Sequence, residues 1–199
     1  MPDDANAPGL PAVFVDRDGT LIEEVGCLDH PAKVSVLPGS AEAVARCNDA
    51  GRPVIAVTNQ AWVARGMLTT DVVEAVNAEV VGRFEALGAR IDAVYFCPHH
   101  PTDGAEPWRQ VCACRKPAPG MLTAAAATHG LDLPSSVVVG DLPSDIALAA
   151  AVGARGILVR TGFGQRYWTE HQDRFTVQPH LVAADLAAAV DWILGPDAR

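Results

Sequence analysis

At 199 residues, the chain is long enough for one domain with a full hydrophobic core, since single domains run to roughly 100–200 residues. Its 49% hydrophobic and 20% charged residues exclude a disordered or collagen-like chain. A net charge of −9, from 24 acidic and 15 basic side chains, disfavours nucleic acid or an anionic membrane as the main partner, yet leaves room for a small phosphate at one locally basic place.

In chain order, residues 1–10 read as a disordered leader. The start, MPDDANAPGLP, is acidic and proline-rich where a secretion signal would be basic and then apolar. No charge-free apolar run approaches the roughly 18 residues a bilayer span needs, so a cytoplasmic protein is expected. Ala12-Val13-Phe14-Val15 is a short continuous apolar run, the pattern of a strand buried on both faces, and it ends in Asp16. A helix follows from Ser40, the expected N-cap, to a stop at Gly51. Val54-Ile55-Ala56-Val57 is a second strand ending at Thr58-Asn59. Residues 69–87 carry Val72, Val73, Val76, Val80 and Phe84 at helical spacing, closed by Gly88. Ala93-Val94-Tyr95-Phe96 gives a third strand, residues 121–129 a helix, Val137-Val138-Val139 a fourth strand, 144–152 a helix and 156–159 a fifth strand. Residues 160–179 show no clear period, and an Ala-rich helix spans 185–194. This alternation predicts an α/β fold: a three-layer, Rossmann-like parallel sheet with helices on both faces and its ligand site beyond the carboxyl ends of the strands.

The strand ends carry chemistry suited to phosphate. Asp16 and Asp18 leave the first strand at i and i+2, where one carboxylate can attack and the other move protons, and Gly19 lets the backbone turn closely around a small ion. Thr58-Asn59-Gln60 offers a hydroxyl and two amides as donors. Lys116 is one of only two lysines in a chain that otherwise uses arginine, a compact point charge. Asp141 closes the fourth strand in a position for a divalent ion, with Asp145 able to cap or buttress the next helix.

Five cysteines, an odd number in a reducing compartment, argue against a disulfide framework. Cys97-Pro98-His99 and Cys112-Ala113-Cys114, separated by twelve residues, supply three thiolates and one imidazole, a closed tetrahedral set for structural zinc. His100 competes with His99 as a ligand. The sparsely apolar loop between the pairs needs such a staple.

Together, Asp16-Arg17-Asp18-Gly19-Thr20, Thr58, Lys116 and Gly140-Asp141-Leu142-Pro143-Ser144-Asp145 resemble, in order, the four motifs of the haloacid dehalogenase superfamily of phosphohydrolases, over residues 12–160. The resemblance implies a phosphoaspartate mechanism. Asp16 would be the nucleophile and Asp18 the acid and base. Magnesium would be held by Asp16, Asp141 and the backbone carbonyl of Asp18, with Thr58 and Lys116 holding the transferring oxygens. The segments Cys97-Pro98-His99-His100-Pro101, Arg109 to Pro117 and Pro119-Gly120-Met121-Leu122 resemble the D-glycero-D-manno-heptose 1,7-bisphosphate 7-phosphatases, whose histidinol-phosphate phosphatase relatives usually carry a shorter zinc loop. This implies release of the C7 phosphate from a heptose bisphosphate, with Asn59, Arg65 and Arg115 among the substrate-binding residues. It further implies a monomer with one domain over 11–195, the zinc loop at 97–114 and no large cap domain. The competing expectations are a phosphatase of histidinol phosphate or another small sugar phosphate, and a zinc-stabilised binding module without catalysis.

Overall fold

The computed structural model describes residues 9–196. Residues 1–8 of the expected leader lie outside the described residues. Its last two do not fit a disordered leader: Gly9 packs against Leu131 and Asp132, and Leu10 exchanges backbone hydrogen bonds of 3.0 Å with Gly130 and Asp132.

Six strands, β1 (Val13–Val15), β2 (Val54–Asn59), β3 (Ala93–Cys97), β4 (Val137–Gly140), β5 (Arg155–Val159) and β6 (Leu181–Ala183), form one parallel sheet in the order β3-β2-β1-β4-β5-β6. The period of two sorts their side chains between two cores. Val13, Val15, Ala56, Val139 and Val159 pack on one face against α1 (Ser40–Asp49), α3 (Thr70–Ala86) and α7 (Leu186–Leu194). Phe14, Ile55, Val57 and Val138 pack on the other against α4 (Gly120–His129) and α5 (Pro143–Ala151). Burial on both faces is why these strands read as unbroken apolar runs. The sequence switches direction between β1 and β4, and the crevice beyond their carboxyl ends is where such sheets bind ligands.

Several boundaries differ from the expected ones for local reasons. Ser40 is not the N-cap of α1. Gly39, with φ 78°, takes that place, and the Ser40 hydroxyl instead donates to the Thr20 carbonyl at 3.2 Å, tying the helix to the loop after β1. Thr69 does cap α3, accepting from the Val72 N–H, and Asp185 caps α7 at 2.9 Å from the Ala188 N–H. The aperiodic stretch after β5 contains α6 (Gly164–Glu170), and three-residue β6 follows it. A short helix α2 (Ala61–Ala64) follows β2 directly. No cap domain is present among the described residues, and none of their helices is long and apolar enough to cross a membrane.

Candidate active site

The loops after β1, β4 and β5 are tied to one another. The Asp16 N–H donates to the Val139 carbonyl at 2.8 Å, the Thr161 hydroxyl to the Gly19 carbonyl at 2.6 Å, and the Phe163 N–H to Asp141 Oδ2 at 2.8 Å. Gly19 (φ 79°) and Gly162 (φ 54°) are required here twice over: each takes a left-handed conformation, and a Cβ on either would run into the Asp141 carboxylate.

Asp16, Asp141 and Asp145 therefore converge, each buried, with carboxylate oxygens within 4.8 Å of one another. Lys116, only 4% exposed, answers them. Its Nζ lies 2.8 Å from Asp16 Oδ1 and 2.7 Å from Asp145 Oδ1, and donates to the Val57 carbonyl at 3.1 Å. Burial lowers this ammonium's pKa, but Asp145 and Asp16 more than offset that, so it stays charged. Burial raises Asp16 to about 7, with Asp145 and Asp18 adding to the rise and Lys116 opposing it. Asp141 is also pushed well above the ordinary carboxylate range, by burial first and then by Asp16 and Asp145. Asp141 Oδ1 is buried without a hydrogen-bond partner. A surplus of buried carboxylate and an orphaned oxygen fit a hard divalent cation.

Asp18 faces a different set. Its Oδ2 accepts from Gln60 Nε2 at 2.9 Å and Thr58 Oγ1 at 3.2 Å, and the Arg17 guanidinium covers both oxygens. Asp145 Oδ2 accepts from the Leu142 N–H at 3.1 Å, the helix-capping role expected of it. The Asn59 amide is bonded in both directions to the Lys116 backbone, at 3.0 and 3.2 Å, so it holds the lysine's segment in place.

An inner chamber of about 70 Å³, lined by Asp16, Asp18, Thr58, Lys116 and Asp141, lies beside a cleft of about 500 Å³. Trp62, Arg65 and Arg115 line the cleft on one side, and Phe163, Arg166, Tyr167 and His171 also line it. Arg115 Nη1 donates to the His99 carbonyl at 3.0 Å. Arg65 is engaged by Asp103, at 2.9 and 3.1 Å, and stacks over the Trp62 ring at 4.9 Å. Trp62 both lines the cleft and packs beside Val63 and Leu68.

Cys97, His99, Cys112 and Cys114 meet as their spacing predicts. The three sulfurs are 3.0–3.5 Å apart, and His99 Nδ1 lies 3.6 Å from Cys97 and 3.3 Å from Cys114. Metal–sulfur bonds of about 2.3 Å give tetrahedral edges only slightly longer, so this set fits a metal. His100 lies outside this set, its Nδ1 accepting from the Asp103 N–H at 2.9 Å.

Four contributors were not singled out from sequence: Arg17, Glu24, Asn77 and the α6 wall. Only Asn77 carried a signal, an amide among the valines of an apolar helical face. Glu24, which lines both cavities, has its carboxyl raised by burial.

A family model described as "HAD-hyrolase-like" matches residues 113–189. A D-glycero-D-manno-heptose-1,7-bisphosphate 7-phosphatase of Thermosynechococcus vestitus is 46% identical over 191 residues, 92% of this chain and 95% of that protein. A D-glycero-beta-D-manno-heptose-1,7-bisphosphate 7-phosphatase of Rhodopseudomonas palustris is 40% identical over 152 residues, 76% of this chain and 84% of that protein. The crystal structure of the D,D-heptose 1,7-bisphosphate phosphatase from B. bronchiseptica complexed with magnesium and phosphate superposes with a TM-score of 0.80 at 33% identity, covering 93% of this chain and 98% of that one.

The raised Asp16 carboxyl has a thermodynamic sign. In metal-free protein, a carboxyl held above its unfolded value carries no penalty at low pH and a growing one as pH rises from about 3.8 to about 7. Asp16→Asn removes that penalty. The difference in Tm between the variant and the parent should therefore shift in the variant's favour from pH 5 to pH 8, by roughly 2–4 °C for each kcal/mol relieved. Thermal unfolding in chelator at both pH values checks this, and a difference independent of pH contradicts it.

Proposed function

The chain belongs to the heptose 1,7-bisphosphate 7-phosphatase family of haloacid dehalogenase-like hydrolases, and from that membership we propose that it removes the C7 phosphate of D-glycero-D-manno-heptose 1,7-bisphosphate. The observation that carries the reading is the pair of carboxylates at the end of β1, Asp16 on Lys116 at 2.8 Å and Asp18 on Gln60 at 2.9 Å, opening toward an arginine-lined cleft.

In this reading Asp16 attacks phosphorus, forming an acyl phosphate as the bond from phosphorus to the sugar oxygen breaks. Asp18 gives its proton to that departing oxygen, then takes one from the water that cleaves the acyl phosphate, releasing inorganic phosphate and restoring Asp16. Lys116 and Thr58 hold the equatorial oxygens, aimed at charge that develops during transfer. Asp16, Asp141 and the Asp18 backbone carbonyl would hold magnesium, which when bound supplies positive charge between nucleophile and phosphoryl group. Asp145 keeps Lys116 in place from behind. Arg115 binds the sugar-phosphate end through its fork. Arg65, committed to Asp103, shapes the rim with Trp62, and Asn59 acts through Lys116. Cys97, His99, Cys112 and Cys114 would hold zinc, a four-ligand set suited to a structural and not a catalytic role. We extend the proposal to a cytoplasmic monomer with one domain over 11–195 and the zinc loop at 97–114.

With magnesium, phosphate release from heptose 1,7-bisphosphate should far exceed release from histidinol phosphate; the reverse ranking overturns the substrate. Asp16→Asn should lower kcat by roughly 10³-fold or more while retaining zinc by elemental analysis, and near-normal turnover removes the nucleophile assignment. Arg115→Ala should raise KM about 10- to 100-fold, as expected for a lost charge-assisted contact of roughly 1.5–3 kcal/mol. An unchanged KM places the sugar-phosphate contact elsewhere. Cys112→Ser should drop zinc below one equivalent and lower Tm and activity together, because the loop it anchors ends in Lys116.

A further inference from the structure

One buried cation has no part in the chemistry above. Arg17 is 1% exposed. Its Nε lies 3.3 and 3.2 Å from the two Asp18 oxygens, and its Nη2 lies 3.1 and 3.0 Å from them. The remaining nitrogen, Nη1, donates to Asn77 Oδ1 at 2.6 Å. Asn77 sits in the middle of α3 on its buried face, with Val73, Val76 and Val80. An amide there is a poor helix former and is costly to bury without a partner, and its partner stands sixty positions earlier in the chain.

The two halves of this contact do different things. Two nitrogens on one carboxylate align Arg17 with Asp18 but leave the joined pair free to swing about the backbone of the Asp16–Gly19 loop. The third nitrogen, fixed to a helix that belongs to the main core, removes that freedom. Gln60 and Thr58 bear on Oδ2, and among the described residues Oδ1 takes its hydrogen bonds from Arg17.

We propose that Asn77 is a positioning residue for proton transfer: by locking the Arg17 guanidinium to α3, it holds the Asp18 carboxylate in the orientation that meets the departing oxygen. This rests on the reading of Asp18 as the proton donor. Asn77 is remote from substrate, and its effect belongs to the step in which Asp18 donates, not to binding.

Leaving-group dependence tests this in a way a general loss of structure would not mimic. A sugar alkoxide needs a proton to depart, whereas p-nitrophenolate does not, and kcat/KM reports the step in which the leaving group departs. In magnesium- and zinc-replete enzyme, Asn77→Leu should lower kcat/KM for the sugar phosphate roughly 10- to 100-fold, the scale of a misplaced catalytic group. The value for p-nitrophenyl phosphate should change less than about 3-fold. Asn77→Asp, which keeps the acceptor oxygen, should recover most of the loss. Asn77→Ser, too short to reach Arg17, serves as a second variant if the leucine variant does not fold. Asp18→Asn sets the reference and should show the same bias more strongly. If Asp18→Asn discriminates between the substrates and the Asn77 variants lower both equally, or neither, the positioning role is wrong. If Asp18→Asn itself treats both substrates alike, the proton-donor reading fails and the role of Asn77 fails with it.

Discussion

The site hangs on the buried ammonium of Lys116. Three carboxylates, Asp16, Asp141 and Asp145, lie within 4.8 Å of one another with Asp18 lining the same chamber, and at such separations in a poorly solvated interior like charges repel by several kcal/mol. Two cations answer them: Lys116 between Asp16 and Asp145, and Arg17 on Asp18. Counted as formal charges, four minus two leaves two in surplus, the amount one divalent cation would cancel. The partition is also spatial. Arg17 and Gln60 hold Asp18, whereas Asp16 and Asp141 converge with Asp145, which is the arrangement that the proposed division between metal holding and proton transfer needs. A carboxylate held by a guanidinium and two neutral donors does not compete for the cation.

Because Lys116 is delivered by a loop, the ordering of that loop becomes part of the chemistry. Cys112 and Cys114 stand four and two residues before it, and the Asn59 amide grips its backbone from both sides. A structural metal at the cysteines, as proposed, would thus fix the segment carrying both Arg115 and Lys116, one reaching the cleft and the other the inner chamber. The Arg65–Asp103 pair adds a second tie between α2 and the same loop. Exposed as it is, that pair adds little, so the Cys97-His99-Cys112-Cys114 cluster and the Asn59 clamp carry most of the ordering.

Much of this was legible in the sequence because parallel strands buried on both faces have an unmistakable pattern, and the residues that end them lie by topology at the switch point. Asp16, Thr58 and Asp141 could be placed from strand ends alone, and the cysteine spacing predicted the meeting of Cys97, His99, Cys112 and Cys114. The burial of Lys116 could not be read locally, since nothing near it in sequence supplies its carboxylate partners, which come from β1 and α5. The same holds for Arg17, whose neighbours along the chain suggest only another motif residue until α3 brings Asn77 to it. Asn59 and Arg65 had the right types for phosphate contact, but each already has a partner from a distant segment. β6 and α6 were missed for a plainer reason: a strand of three residues at a sheet edge and a mostly exposed helix of seven carry too little periodicity to stand out.

The acidity of the chain then resolves into two parts. Of the formal net −9, the buried site accounts for −2 by the count above, which a bound divalent cation would remove. The remaining −7 is spread over the rest of the molecule. That outer charge acts on an extended polyanion along its whole length, whereas a small phosphate ester within the cleft lies inside the roughly 8 Å screening length of Arg115 and its neighbours. Arg166, whose ion pair with Glu170 is loose at 3.5 Å and exposed, adds positive charge from the α6 side. Acidic overall charge and phosphate recognition are therefore compatible only for a ligand small enough to be enclosed. The dimensions of the cleft select such a ligand independently.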